Sequence, residues 1–228
     1  MTFLAEISPR QQIASRYLSG EGIEIGALHS PLELPPGVKI RYLDRIPNDQ
    51  LRQQYPELAE CDLVELDIIE DGETLASLLD ASLDFVIANH MVEHCQDPIS
   101  SLKNWLRVLK NGGILYLAVP DKRYTFDCDR PVTSLEHVIR DHTEGPRWSM
   151  NYHFEEWTRL VDKVPEESVA VRTKYLADVN YSIHFHVWTQ VEFLELLLYC
   201  QKHLSLNMEI ELLQKNSIEF IVILKKTA

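Results

Sequence analysis

Leu83-Asp84-Phe85-Val86-Ile87-Ala88-Asn89-His90-Met91-Val92-Glu93-His94, then Asp97-Pro98, then Leu106-Arg107-Val108-Leu109-Lys110-Asn111-Gly112-Gly113-Ile114-Leu115, is the stretch that decides the fold. Leu83 to Ala88 is a nearly continuous apolar run, as a strand buried on both faces requires. Asp97 offers an acceptor to the orphan N–H groups of a helix start, and Pro98 suits the first helical position because it has no N–H to orphan. Leu102, Trp105, Leu106 and Leu109 then recur at helical spacing. Asn111-Gly112-Gly113 stops the helix, and Ile114 to Val119 is a second apolar strand. Strand, helix and strand at this pitch predict parallel strands wound with helices.

The same alternation extends outward. Pro9 to Leu18 reads as a short helix stopped by Ser19-Gly20, Ile23 to Ile25 as a strand, and Val38 to Leu43 as another. A polar helix around Asn48 to Ala59 leads to a strand over Leu63 to Leu66, closed by Asp67. Towards the other end, Glu192 to His203 is helical, and Met208 to Leu213 and Ile218 to Leu224 form two strands joined through Lys215-Asn216-Ser217, a hairpin. Between Asp121 and Thr189 the regular pattern breaks. The expectation is a single domain, 1–228, with a cofactor-binding core over about 20–120 and 190–228 and an insertion over about 121–189.

In open parallel sheets, ligands bind beyond the carboxyl ends of the strands. Those ends carry Glu24-Ile25-Gly26-Ala27-Leu28-His29-Ser30, then Asp44, Asp67-Ile68, Asn89-His90 and Asp121. Asp44 follows Glu24 by about twenty residues, the separation that brings an acid onto a ribose diol beside the first turn. A dinucleotide needs several glycines there, so that backbone can approach the pyrophosphate. Only Gly26 is present, which favours S-adenosylmethionine, a cofactor without a pyrophosphate.

The stretch quoted first, with Glu24 to Ser30 as a divergent glycine-rich motif, resembles class I S-adenosylmethionine-dependent methyltransferases of the ubiquinone and menaquinone biosynthesis type. The resemblance covers about Gly22 to Pro120 and the final helix and hairpin. It implies an α/β fold: a seven-stranded, mostly parallel sheet with an antiparallel last strand, helices on both faces, and a substrate-side insertion after strand five. By position it implies that Glu24 and Gly26 hold the amino-acid end of the cofactor, Asp44 its ribose hydroxyls, and Asp67 and Ile68 its adenine, with Ala27 and Arg45 also among the cofactor-binding residues. Asn89 and His90 would lie beside the methionine moiety. Where relatives often have glycine, this chain has Ala27 and His29.

Composition narrows the partners. A net charge of −13 opposes a nucleic-acid backbone, whose phosphates require clustered Lys and Arg. The longest apolar runs, such as Phe220 to Leu224, are too short to span a bilayer. Met1 to Glu6 has neither a basic region nor a long apolar one, so a cytoplasmic location is expected. Cys61, Cys95, Cys128 and Cys200 form no CxxC pair and read as reduced thiols. The partner expected is a small-molecule acceptor, with neither nucleic acid nor membrane involved. Oligomeric state is left open.

Several segments carry candidate chemistry. His90-Met91-Val92-Glu93-His94 matches H-x-x-E-H, an inverted zinc-protease pattern, but sits at the mouth of a buried strand, where Glu93 and His94 would satisfy backbone groups. Some quinone-type relatives hold a metal at this location, so an ion assisting the acceptor stays open. No metal ligands are assigned. Tyr181 to Trp188 alternates like a strand, which would put His184 and His186 on one face as an acceptor-site pair or as two half-buried structural rings. His137, Asp141 and His142 belong to a helical segment, Ser134 to Asp141 with its next residue, and either face the pocket or form a solvated face. Asp121 to Asp127 suits a polar substrate or a solvated loop, and Trp148, Tyr152, Phe154 and Trp157 suit lid packing.

The function expected is S-adenosylmethionine-dependent methyl transfer to a small molecule, at a hydroxyl of a polar metabolite or sugar, with His184, His142 or His186 as the base. The alternatives are a nicotinamide-dependent oxidoreductase and a non-catalytic cofactor-binding module.

Overall fold

A computed structural model describes residues 7–228. The segment Met1 to Glu6, on which the absence of a leader was read, lies outside the described residues. Strands β1 (Glu21–Ile25), β2 (Lys39–Asp44), β3 (Ile68–Ile69), β4 (Leu83–Asn89), β5 (Leu109–Pro120), β6 (Met208–Asn216) and β7 (Glu219–Lys226) form one sheet. Its order is β3-β2-β1-β4-β5-β7-β6. β1 to β5 pair in parallel, and β7 runs antiparallel to both its neighbours, β5 and β6. The order reverses between β1 and β4, so the cleft beyond their carboxyl ends is the natural ligand position.

Alternation along the central strands fills two cores. Val86, Ala88, Leu115, Leu117, Val119, Phe220 and Val222 face one side, where they meet helices α3 (Pro98–Val108) and α7 (Gln190–His203). Phe85, Ile87, Ile114, Tyr116, Ile221 and Ile223 face the other, against Ile13 and Ala14 of α1 (Pro9–Tyr17). A continuous apolar run is the outcome wherever both faces of a strand are covered. At the head of α3, the Asp97 carboxylate accepts from the Ser100 N–H at 2.9 Å, with Pro98 beside it. Trp105 on this helix is fully buried and donates its indole N–H to the Gly72 carbonyl at 2.7 Å. The helix ends at Val108, before Asn111-Gly112-Gly113. Those residues instead lie within β5, where its pairing with β4 is irregular between Leu109 and Ile114 and Gly112 stands at φ +80°.

Helix α2 (Asn48–Gln54) is shorter than expected, because Pro56 starts a separate 3-10 turn over Pro56–Leu58. Two expectations fail outright. Leu63 to Leu66 is not the third strand; the strand is Ile68–Ile69, after Asp67, because the parallel register pairs Leu43 with Ile68. Tyr181 to Trp188 is extended but is no strand: the Phe185 and His186 N–H groups both donate to the Glu93 carbonyl, and only Trp188 makes a bridge, to Asp121. Apolar alternation is thus produced there by a chain running between two walls, not by a ladder.

Segment 121–189 contributes α4 (Leu135–Glu144), α5 (Arg147–Leu160) and α6 (Glu166–Asp178). Phe154, Leu176, Ile183 and Phe185 make a small core of their own within it. No helix among the described residues is long and apolar enough to cross a membrane.

Candidate functional site

A cleft of about 810 Å³ opens beyond the carboxyl ends of β1, β2 and β4. Its sheet wall carries Gly26, Leu28, Asp44, Arg45, Asp71, Gly72 and His90; its far wall carries Phe126, Trp157, Tyr181 and His184. This size suits a cofactor and an acceptor together.

Gly26 ends β1 at φ +66°, and a Cβ added there would meet nothing within 4 Å. Glycine is required here by the left-handed backbone and leaves open space in front of the turn. Asp44, at the end of β2, is almost wholly buried, and its Oδ1 accepts from the Arg45 N–H at 2.7 Å. Burial raises the Asp44 pKa, against the Arg45 N–H and guanidinium that lower it. The Arg45 guanidinium donates to the Tyr55 hydroxyl at 2.9 Å, closing that end of the cleft.

His90 follows β4 at φ +50°, and its Nε2 lies 2.7 Å from Glu219 Oε2. Burial disfavours the charged ring, but the Glu219 hydrogen bond and the Glu93 charge outweigh it and raise the His90 pKa. Glu219 in turn is held by the Arg10 side chain of α1. Burial opposes its charge, yet Arg10 and His90 pull its pKa down to about 2.

Five cofactor candidates lie off the cleft lining. Glu24 is buried behind the turn: both carboxylate oxygens accept from the Leu32 N–H at 3.1 Å, Asn89 Nδ2 approaches at 3.5 Å, and burial lifts its pKa to about 7. Asp67 turns its carboxylate onto the Tyr42 N–H at 2.8 Å. Ile68 packs against the larger core, and Ala27 is buried beneath the turn. With β3 starting at Ile68 and not at Leu63, the acids that reach the cleft from its end are Asp71 and Glu73. Strand register, invisible in a two-residue strand, is what the sequence reading lacked. Asn89 leaves its Oδ1 buried without a partner.

The three histidine candidates separate. His184 lines the cleft, and its Nδ1 lies 2.7 Å from Asp127 Oδ2. Asp127 Oδ1 accepts from Arg130 Nη1 at 2.8 Å, while Arg130 Nε donates to Glu156 at 2.8 Å and Tyr152 caps Glu156 at 2.8 Å. Arg130 is fully enclosed. Burial would lift the Asp127 pKa, but His184 and Arg130 hold it below the usual carboxylate range. Nothing in the spacing of Asp127, Arg130 and Glu156 marks this chain of charges in the sequence. His142 lies outside the cleft lining: Nδ1 faces Asp97 at 3.0 Å and Nε2 accepts from Lys103 at 2.7 Å, so both nitrogens are engaged. His186 does not share a face with His184. It is fully buried among His137, Asp141 and His153, because the segment carrying it turns without a sheet partner.

Of the H-x-x-E-H residues, Glu93 and His94 bring ligand atoms within 4.8 Å of each other and of His184, while His90 Nε2 turns to Glu219 instead. The His94 ring meets the Ile183 carbonyl at 2.9 Å and Ser182 Oγ at 3.1 Å, which fixes the far wall. Burial and the neighbouring His184 lower its pKa to about 3. Glu93 is wholly buried, neither carboxylate oxygen has a hydrogen-bond partner, and burial raises its pKa.

Residues 27–117 match the methyltransferase domain family. No curated protein matches the chain. Among solved structures, one from Rhodobacter sphaeroides that carries the name zinc-dependent alcohol dehydrogenase aligns at TM-score 0.54 and 13% identity, covering 99% of this chain and 88% of that one. The CurJ carbon methyltransferase aligns at TM-score 0.50 and 12% identity over 98% of this chain and 50% of that one. A SAM-dependent methyltransferase from Methanosarcina mazei aligns at 0.49 and 16% identity over 93% and 95%. Identities this low speak for the fold alone, and the two differing names show how little a shared sheet says about chemistry. The matched domain distinguishes them: residues 27–117 are similar to the methyltransferase domain, and the sheet around them has the class I, Rossmann-like order of such domains, whose methyl donor is S-adenosylmethionine.

Proposed function

We propose that this enzyme methylates a hydroxyl of a polar small molecule, held between the cofactor and the wall formed by Phe126, Trp157, Tyr181 and His184. The observation that carries the reading is the His184–Asp127 pair, 2.7 Å apart, at the edge of the cleft opposite Gly26, Asp44 and His90.

The residues on the sheet side fit the cofactor. Gly26 lets backbone approach its amino-acid end, and Asp44 has an oxygen beyond its Arg45 bond to accept from a ribose hydroxyl. Asp71 is placed to accept from the adenine amino group. When bound, S-adenosylmethionine supplies an electrophilic methyl group.

The chain's own residues do the rest. Asp127 accepts from His184 Nδ1–H, fixing the tautomer that leaves Nε2 as a base. Arg130 keeps Asp127 ionised, so the pair can hold the proton that leaves the acceptor hydroxyl. Phe126 and Trp157 pack on the His184 ring with centroids 4.9 and 5.9 Å away, which restricts its motion and keeps water from its faces. Placement of two reactants is worth on the order of 7–11 kcal/mol of barrier, and the base adds on the order of 10²–10⁴-fold.

Titration calorimetry with S-adenosylmethionine and its demethylated product, followed by a screen of hydroxylated acceptors for demethylated product, tests this. Turnover confined to amine or carbon acceptors would replace the hydroxyl reading.

A further inference from the structure

One layer behind His184, four side chains meet at a point. His137 and Asp141 stand one turn apart on α4, His153 comes from α5, and His186 from the extended segment before α7. Each offers a ligand atom, and these atoms all lie within 4.8 Å of one another. His137 Nε2 is 3.1 Å from His153 Nε2 and 3.2 Å from Asp141 Oδ2, which is 3.7 Å from His186 Nε2. Four ligands bonded to a tetrahedral ion at about 2.0–2.1 Å stand roughly 3.4 Å apart along each edge, so the observed separations bracket that figure.

Burial and hydrogen bonding point the same way. His186 and Asp141 are fully buried, and His153 nearly so. Neither ring nitrogen of His186 has a hydrogen-bond partner, nor does Asp141 Oδ2. Bare polar groups gathered at one place are rare in folded proteins and call for a missing partner. The other oxygen of Asp141 is already committed, accepting from Ser149 Oγ at 2.7 Å, which aims Oδ2 inward. Trp188 stacks on the His186 ring at 5.5 Å and holds its orientation.

We propose that His137, Asp141, His153 and His186 bind one zinc ion. Three imidazoles and one carboxylate suit zinc and not calcium or magnesium, which prefer oxygen ligands. All four positions are filled by protein, so the site is structural and takes no part in the transfer. Its work is to join α4, α5 and the segment that carries His184, which lies two residues before His186. The wall of the cleft is thereby fastened from behind.

Elemental analysis of the full chain, purified without chelator, is expected to give about one zinc per protein. Asp141→Asn and His186→Ala are expected to lose it, with affinity falling by more than the roughly 10–100-fold that loss of an outer hydrogen-bond partner of a ligand costs. His184→Ala, in the neighbouring Glu93–His94–His184 group, is expected to keep it. The chain loaded with cobalt instead should show the intense visible bands of a tetrahedral ion, a readout that needs no variant to fold. Chelation should speed proteolysis within 121–189. Protein that neither carries zinc nor takes up added zinc or cobalt overturns the proposal. So does an octahedral cobalt spectrum, or metal lost in His184→Ala but kept in His186→Ala.

Discussion

The two walls of the cleft are built in opposite ways. On the sheet side, position comes from backbone: strand ends set Gly26, Asp44 and His90, and apolar layers on both faces hold the strands. On the far side, position comes from buried charge, through Glu156, Arg130 and Asp127 to His184. A sheet tolerates change at any one side chain, because its ladder remains. A chain of buried charges does not, since each member leaves its neighbour unpaired when removed. The walls therefore differ in what a single substitution does.

The largest contrast is expected in turnover. Under the proposed mechanism, His184→Ala lowers kcat by about 10²–10⁴-fold with little change in cofactor affinity. Asp127→Asn lowers kcat too and displaces the pH profile, because the tautomer and charge of the ring are no longer fixed. A kcat unchanged in His184→Ala would remove the base from the far wall and leave placement alone.

Stability gives the next contrast. Arg130→Met leaves Asp127 and Glu156 as uncompensated buried charges, and is expected to cost about 3–5 kcal/mol in urea denaturation. Lys110 pairs with Asp84 at 2.7 Å on the sheet side, but both are substantially exposed, so Lys110→Met is expected to cost less than about 1 kcal/mol. Equal costs would mean that the far wall is no more dependent on charge than the surface.

The same division decides what could be read from sequence. Strand β4, helix α3 and the closing hairpin were legible because burial on known faces forces a period, and Asp97-Pro98 marks a helix start. The place of Asp44 and His90 on the cleft was legible because a strand end is a fixed address, whatever each binds there. Asp67 and Ile68 were misplaced because β3 has only two residues, too few to reveal its register. Alternation over Tyr181 to Trp188 predicts a ladder and so one face for His184 and His186, but the His186 N–H donates to the Glu93 carbonyl instead. Arg130 and Asp127 could not be paired with His184 from sequence: 57 residues separate that aspartate from the histidine, and no period connects them.

The walls should also respond oppositely to pH. Glu24 and Glu73 have folded pKa values near 7, above the ordinary 4.5, chiefly through burial. A raised carboxyl pKa favours folding fully below about 4.5, and that contribution is lost as pH rises through 7. Asp127 is lowered instead, so its contribution is present above the ordinary 3.8 and is lost as pH falls through the folded value. Between pH 5 and 8, then, Glu24→Gln should flatten the decline in stability. Its gain over the unaltered chain at pH 8 is expected to be about 3 kcal/mol at most, the equivalent of a displacement from 4.5 to about 7. Parallel curves for the two proteins would show that Glu24 is ionised at little cost.

The smallest expected effect separates the two acids that sequence reading treated alike. Asp44 lines the cleft with an oxygen beyond its Arg45 bond, whereas Asp67 spends its carboxylate on the Tyr42 N–H, away from the cleft. A charge-assisted hydrogen bond to a ribose hydroxyl contributes about 1.5–3 kcal/mol. Asp44→Asn is therefore expected to weaken S-adenosylmethionine binding by roughly 10–100-fold, read by titration calorimetry. Asp67→Asn keeps a carbonyl oxygen for the Tyr42 N–H and should leave affinity within about twofold, a difference of under 1 kcal/mol. Asp71→Asn, at the strand end that does reach the cleft, should fall between them, because Asp71 is exposed and water weakens its hold on the adenine amino group, whereas Asp44 is buried. Loss of affinity in Asp67→Asn with none in Asp44→Asn would place the nucleoside one strand further out than the cleft allows.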